Sequence, residues 1–267
     1  MDTTYPKISI VTVSFNQGQF IEDNILSVIN QNYPNVEHII IDAGSTDGTI
    51  DILKKYNNHL NWTSEPDKGQ SNGLNKGFKK ATGEIIGWFN SDDRIPPGAL
   101  HKVARFFIEN PEEIAVVGNR AIIDENGKLI RVVKSRSYSF DYLVNHARGI
   151  TQNSTFFKRE VFNKAGYLDE SIHYAMDRDL FIRIAKIKTM PYIPETLGEF
   201  RLQQDAKTAK GSFYFAKELL KIRRSYGGKF FSRGNIDTLY IIVSEPLRRI
   251  KWLRNIVRRI KGAELIP

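Results

Sequence analysis

Apolar residues along this chain follow two rhythms. Continuous runs of Ile and Val occupy Lys7 to Ser14 and Val36 to Ile41, and a third apolar run, Ile85 to Phe89, follows Gly83. Runs of this length suit strands buried on both faces of a parallel sheet. Between the first two, Phe20, Ile21, Ile25, Leu26, Val28 and Ile29 recur at helical spacing, and Asn32-Tyr33-Pro34-Asn35 ends that helix. Thr49 to Tyr56 and Leu74 to Ala81 read as helices, Leu60 to Thr63 as a short strand, and Ser64 to Gly73 as a polar loop. Strands alternating with helices predict an α/β fold with a mostly parallel central sheet flanked by helices. Beyond Asp93 the expected elements are a helix from Ala99 to Ile108, a strand from Ile114 to Gly118 and a hairpin from Ala121 to Val133. A strand from Asn153 to Phe157 and a helix from Asp177 to Ile187 follow. These are expected to extend the first sheet. From about Ala206 the pattern is helical, with breaks at Gly227-Gly228 and Pro246. The expected division is a catalytic domain over 1–205 and a C-terminal helical extension over 206–267.

Composition narrows the class. The 267 residues include no cysteine, so disulfides and thiolate metal sites are excluded. No run approaches the ~20 apolar residues of a membrane span. The acid-bearing N-terminus reaches a strand by Lys7 and does not read as a signal peptide. The net charge of +9 is unevenly placed: seven basic residues and no acid lie between Pro246 and Gly262. On a helix, Ile250, Leu253, Ile256, Val257 and Ile260 would fall on one side, and Arg248, Lys251, Arg254, Arg258 and Lys261 on the other. Trp252 would stand at the edge, and Arg249 alone intrudes on the apolar side. That is the pattern of a helix lying in an anionic membrane interface, and equally of one packed on a domain with a solvated basic face. No aromatic stacking series accompanies the charge, so nucleic acid is not expected as a partner.

Candidate chemistry sits at element ends. Asp92 and Asp93 close the strand at Ile85 to Phe89, and Pro96, Pro97 and Gly98 turn the chain away. Ligands of open α/β sheets bind beyond such carboxyl ends. Adjacent carboxylates suit Mg²⁺ or Mn²⁺ shared with substrate phosphates, and equally a solvated Ser-Asp-Asp turn. Asp42 ends the second strand, where it could meet a base or ribose, or could stabilise the loop that follows. Asp67 lies in the polar loop. Asp177 starts a helix as a cap or a functional carboxylate, and Asp179, two residues on, cannot share its face. Neither GxGxxG nor GxxxxGK[ST] occurs, which argues against a dinucleotide fingerprint and a P-loop. His101, His146 and His173 have no ligand spacing, and Trp62 and Trp88 read as core or cleft wall.

Three stretches in order, SIVTVSFNQGQFIEDNILSVINQNYPNVEHIIIDAGSTDGT, SEPDKGQSNGLNKGFKKATGEIIGWFNSDD and MDRDLFIRI, resemble family 2 glycosyltransferases of the GT-A fold. The resemblance spans about Pro6 to Thr208. It implies an inverting transfer from a nucleotide-diphosphate sugar to a glycan or lipid-linked acceptor, as in bacterial surface polysaccharide synthesis. It implies donor contacts at Asp42, Asp67, Asn75 and Asp92, a divalent ion (Mg²⁺ or Mn²⁺) at Asp92 and Asp93, and Asp177 as general base. A cytoplasmic protein, peripheral at the inner face of the cell membrane, is the location that goes with it. Three positions depart from the family pattern: Asn90 where many relatives carry the first aspartate of DxD, Met176 where many carry Glu, and Gln203 where many carry His. Arg201 and Lys207 are candidates to neutralise diphosphate. A sugar-nucleotide nucleotidyltransferase is the competing enzyme reading, although Val11 to Gly18 lacks the basic residues such an enzyme wants. A non-catalytic carbohydrate- or nucleic-acid-binding protein is the competing reading from another class.

Overall fold

The computed structural model describes residues 5–146, 150–203 and 212–248. Its first half is a parallel β/α alternation: β1 (Ile8–Ser14), α1 (Ile21–Ile29), β2 (Val36–Asp42), α2 (Thr49–Lys55), β3 (Asn61–Ser64), α3 (Gln70–Lys80) and β4 (Ile85–Asn90). β1 pairs in parallel with both β2 and β4, and β2 with β3, so the three long apolar runs lie side by side at the centre. Ile8, Ile10, Val11, Ile40, Ile86 and Phe89 are wholly buried there. α3 lies close over this sheet at Gly77, where an added Cβ would come within 2.4 Å of Val11 Cγ1.

The second half comprises α4 (Ala99–Glu109), β5 (Ala115–Ile123), β6 (Leu129–Val133), α5 (Phe140–Asn145), β7 (Thr155–Lys158), α6 (Val161–Ala165), α7 (Met176–Ile187) and β8 (Tyr192–Arg201). It extends the same sheet, in the order β3-β2-β1-β4-β7-β5-β6, with β8 paired to β5. β7 runs antiparallel to both β4 and β5, and β8 runs parallel to β5.

Three expectations change. α3 starts at Gln70, not Leu74, because its polar first turn packs Ser71 and Gly73 inward rather than standing in solvent as a loop. β5 runs unbroken through Gly118 to Ile123, because Leu197 and the Glu195 carbonyl of β8 fill the space a side chain at 118 would take. β8 itself follows no clean alternation and carries Pro194 and Gly198, and the periodicity did not reveal it.

Two further helices, α8 (Ser212–Ser225) and α9 (Arg233–Arg248), complete the described chain. The break at Gly227-Gly228 is present, whereas the α9 backbone continues through Pro246. Leu219 and Ile222 of α8 belong to the same apolar core as β4, β5 and α7. The basic stretch 249–267, with its expected amphipathic helix, lies outside the described residues, as does Lys207.

Candidate active site

The carboxyl ends of β1, β2 and β4 open onto one rim, and three helix or strand ends are tied together along it. Gln70, the first residue of α3, donates from Nε2 to Asn90 Oδ1 at the end of β4 (3.0 Å). The Ser71 hydroxyl lies 2.8 Å from Met176 Sδ and donates to the Ile172 carbonyl at 3.1 Å. The first turn of α7, which carries Asp177, therefore abuts the first turn of α3. Met176 is buried in that contact, so the position where many relatives carry Glu supplies packing here.

Asp92 and Asp93 diverge. Asp92 is half-buried, and its Oδ2 accepts from Gln203 Nε2. Its main-chain carbonyl accepts from Arg201 Nε at 3.0 Å. Burial raises its carboxyl above the ordinary range, with the Gln203 hydrogen bond opposing. Asp93 is wholly buried on the other side of the turn, where Gln152 Nε2 donates to its Oδ2 (3.2 Å) and Oδ1 has no partner among the described residues. Burial, and then the charge of Asp92, push its carboxyl well above the usual range. The sequence reading gave both carboxylates to one ion. In the fold Asp93 is wholly buried and Asp92 is not, so Asp92 is the more accessible of the two.

Asp42 is wholly buried. Its Oδ1 accepts from the Gly44 and Ser45 amides (3.0 and 2.9 Å) and the Ser64 hydroxyl (2.7 Å), and its Oδ2 from the Ser45 hydroxyl (2.5 Å). Three of the four donors fall on Oδ1 and one on Oδ2, so the carboxylate shapes the loop after β2. Asp67 accepts from the Gly69 amide at 2.7 Å just ahead of α3, and its Oδ2 would lie 2.9 Å from a Cβ placed on Gly73.

Asn75, expected at the donor, ties two elements together. Its Nδ2 donates to the Leu168 carbonyl and Glu170 Oε1, both at 3.0 Å, and its Oδ1 accepts from the Leu168 amide. Arg201, expected against diphosphate, is buried, ion-paired with Asp23 at 2.7 Å, and donates to the carbonyls of Asp92 and Glu125. A guanidinium so used anchors β8 beneath the rim.

Asp177 is half-buried in the first turn of α7, and its Oδ1 accepts from the Arg178 amide at 2.7 Å. Asp179 faces elsewhere: it holds Arg183 (2.7 Å) and accepts from the Tyr226 hydroxyl (2.8 Å). His101 packs edge-on against Tyr5 and Tyr33, and His146 stacks on Tyr142. Trp88 is core, and Trp62 donates to Asn57 on the surface.

Sequence reasoning missed the amides that hold this rim. Asn24 donates to the carbonyls of Asn90 and Asp93, and Gln31 to those of Ile95 and Pro96. Asn24 sits on the apolar stripe of α1 and Gln31 is buried just beyond its end, and a buried polar residue must find a partner. That was the available signal.

Among the described residues no cluster of three or more His, Asp or Glu forms a closed metal cage. The donor set at Asp92 is nonetheless of hard oxygens, with the Gln203 amide beside the carboxylate. It fits an ion held by one or two protein ligands and completed by substrate phosphates, as Mg²⁺ commonly is.

Comparisons with known proteins agree on a family. The model described as Glycosyl transferase family 2 matches residues 9–178. The putative teichuronic acid biosynthesis glycosyltransferase TuaG of Bacillus subtilis is 28% identical over 233 residues, covering 81% of this chain and 90% of that one. The fold matches S. aureus TarS 1-349 in complex with UDP-GlcNAc, with a TM-score of 0.67 and 17% identity over 97% of this chain and 76% of that one. It also matches the mannosyltransferase PcManGT from Pyrobaculum calidifontis in complex with GDP-Man and Mn²⁺, with a TM-score of 0.66 and 18% identity over 99% of this chain and 78% of that one.

Proposed function

Since the chain belongs to glycosyl transferase family 2, we propose that it moves a sugar, with inversion, from a nucleotide-diphosphate sugar to a hydroxyl of a glycan or lipid-linked acceptor in bacterial surface polysaccharide synthesis. The observation that carries the reading is the shared rim of Asp92, the first turn of α3 and the first turn of α7. The solved relatives carrying UDP-GlcNAc and GDP-Man support the donor class.

In this reading the loop held by Asp42 lines the nucleoside end, and Asp67 orders the approach to α3. The amino end of α3, the positive end of its helix dipole, favours an anion such as diphosphate. Asp92 would hold Mg²⁺ or Mn²⁺, and the ion would offset charge developing on the leaving diphosphate. The Mn²⁺ in the mannosyltransferase structure supports this assignment. Asp93 supports the turn from behind. Asp177 takes the proton of the acceptor hydroxyl as that oxygen attacks the anomeric carbon from the face opposite the diphosphate. One displacement suffices, so no second carboxylate nucleophile is needed, unlike a retaining glycosidase.

Residues 206–267 are assigned to an extension that serves the catalytic body of 1–205. Its basic end suits an inner membrane face, where a lipid-linked acceptor would be met. No helix among the described residues is long and apolar enough to cross a membrane.

A donor screen scored by nucleotide-diphosphate release tests the reading, and pyrophosphate release in its place would mark a nucleotidyltransferase. Asp92→Ala is expected to abolish metal-dependent donor binding with the fold retained. Full activity of that variant in the presence of a chelator would remove Asp92 from the site.

A further inference from the structure

The inner side of α9 carries a polar contact beside half-buried Leu239 and Ile242: Asn235 and Thr238 are buried, and the wholly buried Arg223 of α8 donates to the Gly234 carbonyl (2.8 Å) and Thr238 Oγ1 (2.9 Å), as well as to the His146 carbonyl. Those hydrogen bonds fix the helix's rotation. The consequence is that Ile236, Tyr240 and Val243, spaced four and three residues apart, form one stripe on the outer side. Phe230 and Phe231 stand just ahead of the helix, their rings edge to face at 5.0 Å. These five side chains are 53% to 81% exposed. Scattered exposed apolar residues need no explanation, but a contiguous set of five large ones does.

The charge around the set selects its partner. From Arg224 to Lys261 the chain carries ten Lys and Arg against two acids, Asp237 and Glu245. Lys229 and Arg233 flank the aromatic pair directly. A second copy would bring the same positive field against itself, whereas an anionic bilayer complements it. Aromatic rings favour the headgroup level, and an apolar helix stripe favours the acyl boundary.

We propose that Phe230, Phe231 and the Ile236–Tyr240–Val243 stripe form a membrane-docking surface for anionic lipid. The proposal rests on the membrane placement given above and names the surface that does the docking. It also gives the docking a purpose. Glu218 of α8 and Tyr226 just past its end grip the start of α7, so a docked α8–α9 pair holds the Asp177 helix near the lipid surface.

The test uses the full chain and a Phe231→Ser, Tyr240→Ser, Val243→Ser triple variant, with vesicles of equimolar phosphatidylcholine and phosphatidylglycerol or of phosphatidylcholine alone. The expected result is that wild type sediments with the anionic vesicles and the variant partitions at least about tenfold more weakly. Melting temperature and transfer to a soluble acceptor analogue should be unchanged. Equal partitioning of both proteins would overturn the surface and leave the membrane placement standing, whereas no binding by wild type would overturn both. A lower melting temperature in the variant would show that the stripe packs on this chain's own tail. A wild-type dimer lost in the variant would show that a second copy covers it. Either result overturns the proposal.

Discussion

Asp177 and Asp179 stand two residues apart on α7 and do different work. Asp177→Asn is expected to lower transfer by about 10²-fold or more with donor affinity kept, the scale of lost general-base catalysis. Asp179→Asn is expected to act on the fold, because it weakens a part-buried pair with Arg183 and a bond to Tyr226, whose phenol burial and Asp179 push up to about 12. A loss of about 2 kcal/mol or more would follow, read by denaturant unfolding. If Asp179→Asn instead abolishes transfer in a stable protein, the assignment of the base is wrong. Asn75→Ala provides a third contrast. Its three hydrogen bonds are internal, so it should cost about 1–3 kcal/mol of stability without weakening donor binding. Titration with the nucleotide diphosphate would check this.

At the scale of elements, the turn that carries Asp177 is held from outside the β/α core. Glu218 of α8 accepts from the amides of His173, Tyr174 and Ala175, at 3.0, 2.7 and 3.0 Å, immediately before α7. Such a carboxylate satisfies donors that a helix start leaves open and fixes where the first turn points. Glu218→Ala is therefore expected to lower kcat with little change in the KM for donor, since Asp177 moves and the nucleotide contacts do not. An unchanged kcat would show that α7 positions itself. The strand beneath the rim is equally constrained. A Cβ on Gly198 of β8 would lie 1.7 Å from the Asn153 carbonyl, next to the Gln152 that meets Asp93.

Over the whole molecule, the sheet core carries a buried histidine with consequences for pH. His38 on β2 is buried, with Thr12 Oγ1 3.1 Å from its Nε2, and burial pushes its pKa down to about 3 from an ordinary 6.5. Above pH 6.5 the ring is neutral folded or unfolded and contributes no pH dependence. Between 6.5 and about 3 the unfolded chain takes up a proton that the native state refuses, so stability falls with pH by about 1.4 kcal/mol per unit. Glu37, pulled down to about 2 by the Ser9, Thr82 and Lys7 hydrogen bonds against its burial, steepens the loss below its ordinary 4.5. Urea unfolding of wild type and His38→Gln at pH 7 and pH 5 should show a shallower fall in the variant. Parallel slopes would mean that His38 takes up a proton in the fold.

The sequence by itself determined the parallel half of the fold. β1, β2 and β4 are buried on both faces, and burial on both faces leaves an unbroken apolar run that reads directly. It also determined that Asp92 and Asp177 lie at element ends, because a strand cannot pass Pro96-Pro97 and a helix start favours acids. What only the tertiary structure decided is which way side chains point once elements meet. The turn after β4 leaves Asp92 half-buried and Asp93 wholly buried. Asn75 and Arg201 looked available along the chain and are consumed by partners 93 and 178 residues away. α3 begins a turn early because its polar residues serve a neighbouring helix, and β8 hides because its neighbours, not its own alternation, hold it in the sheet. α9 is the furthest case: its rotation follows the hydrogen bonds of one buried arginine on another helix, and no pattern within α9 records that.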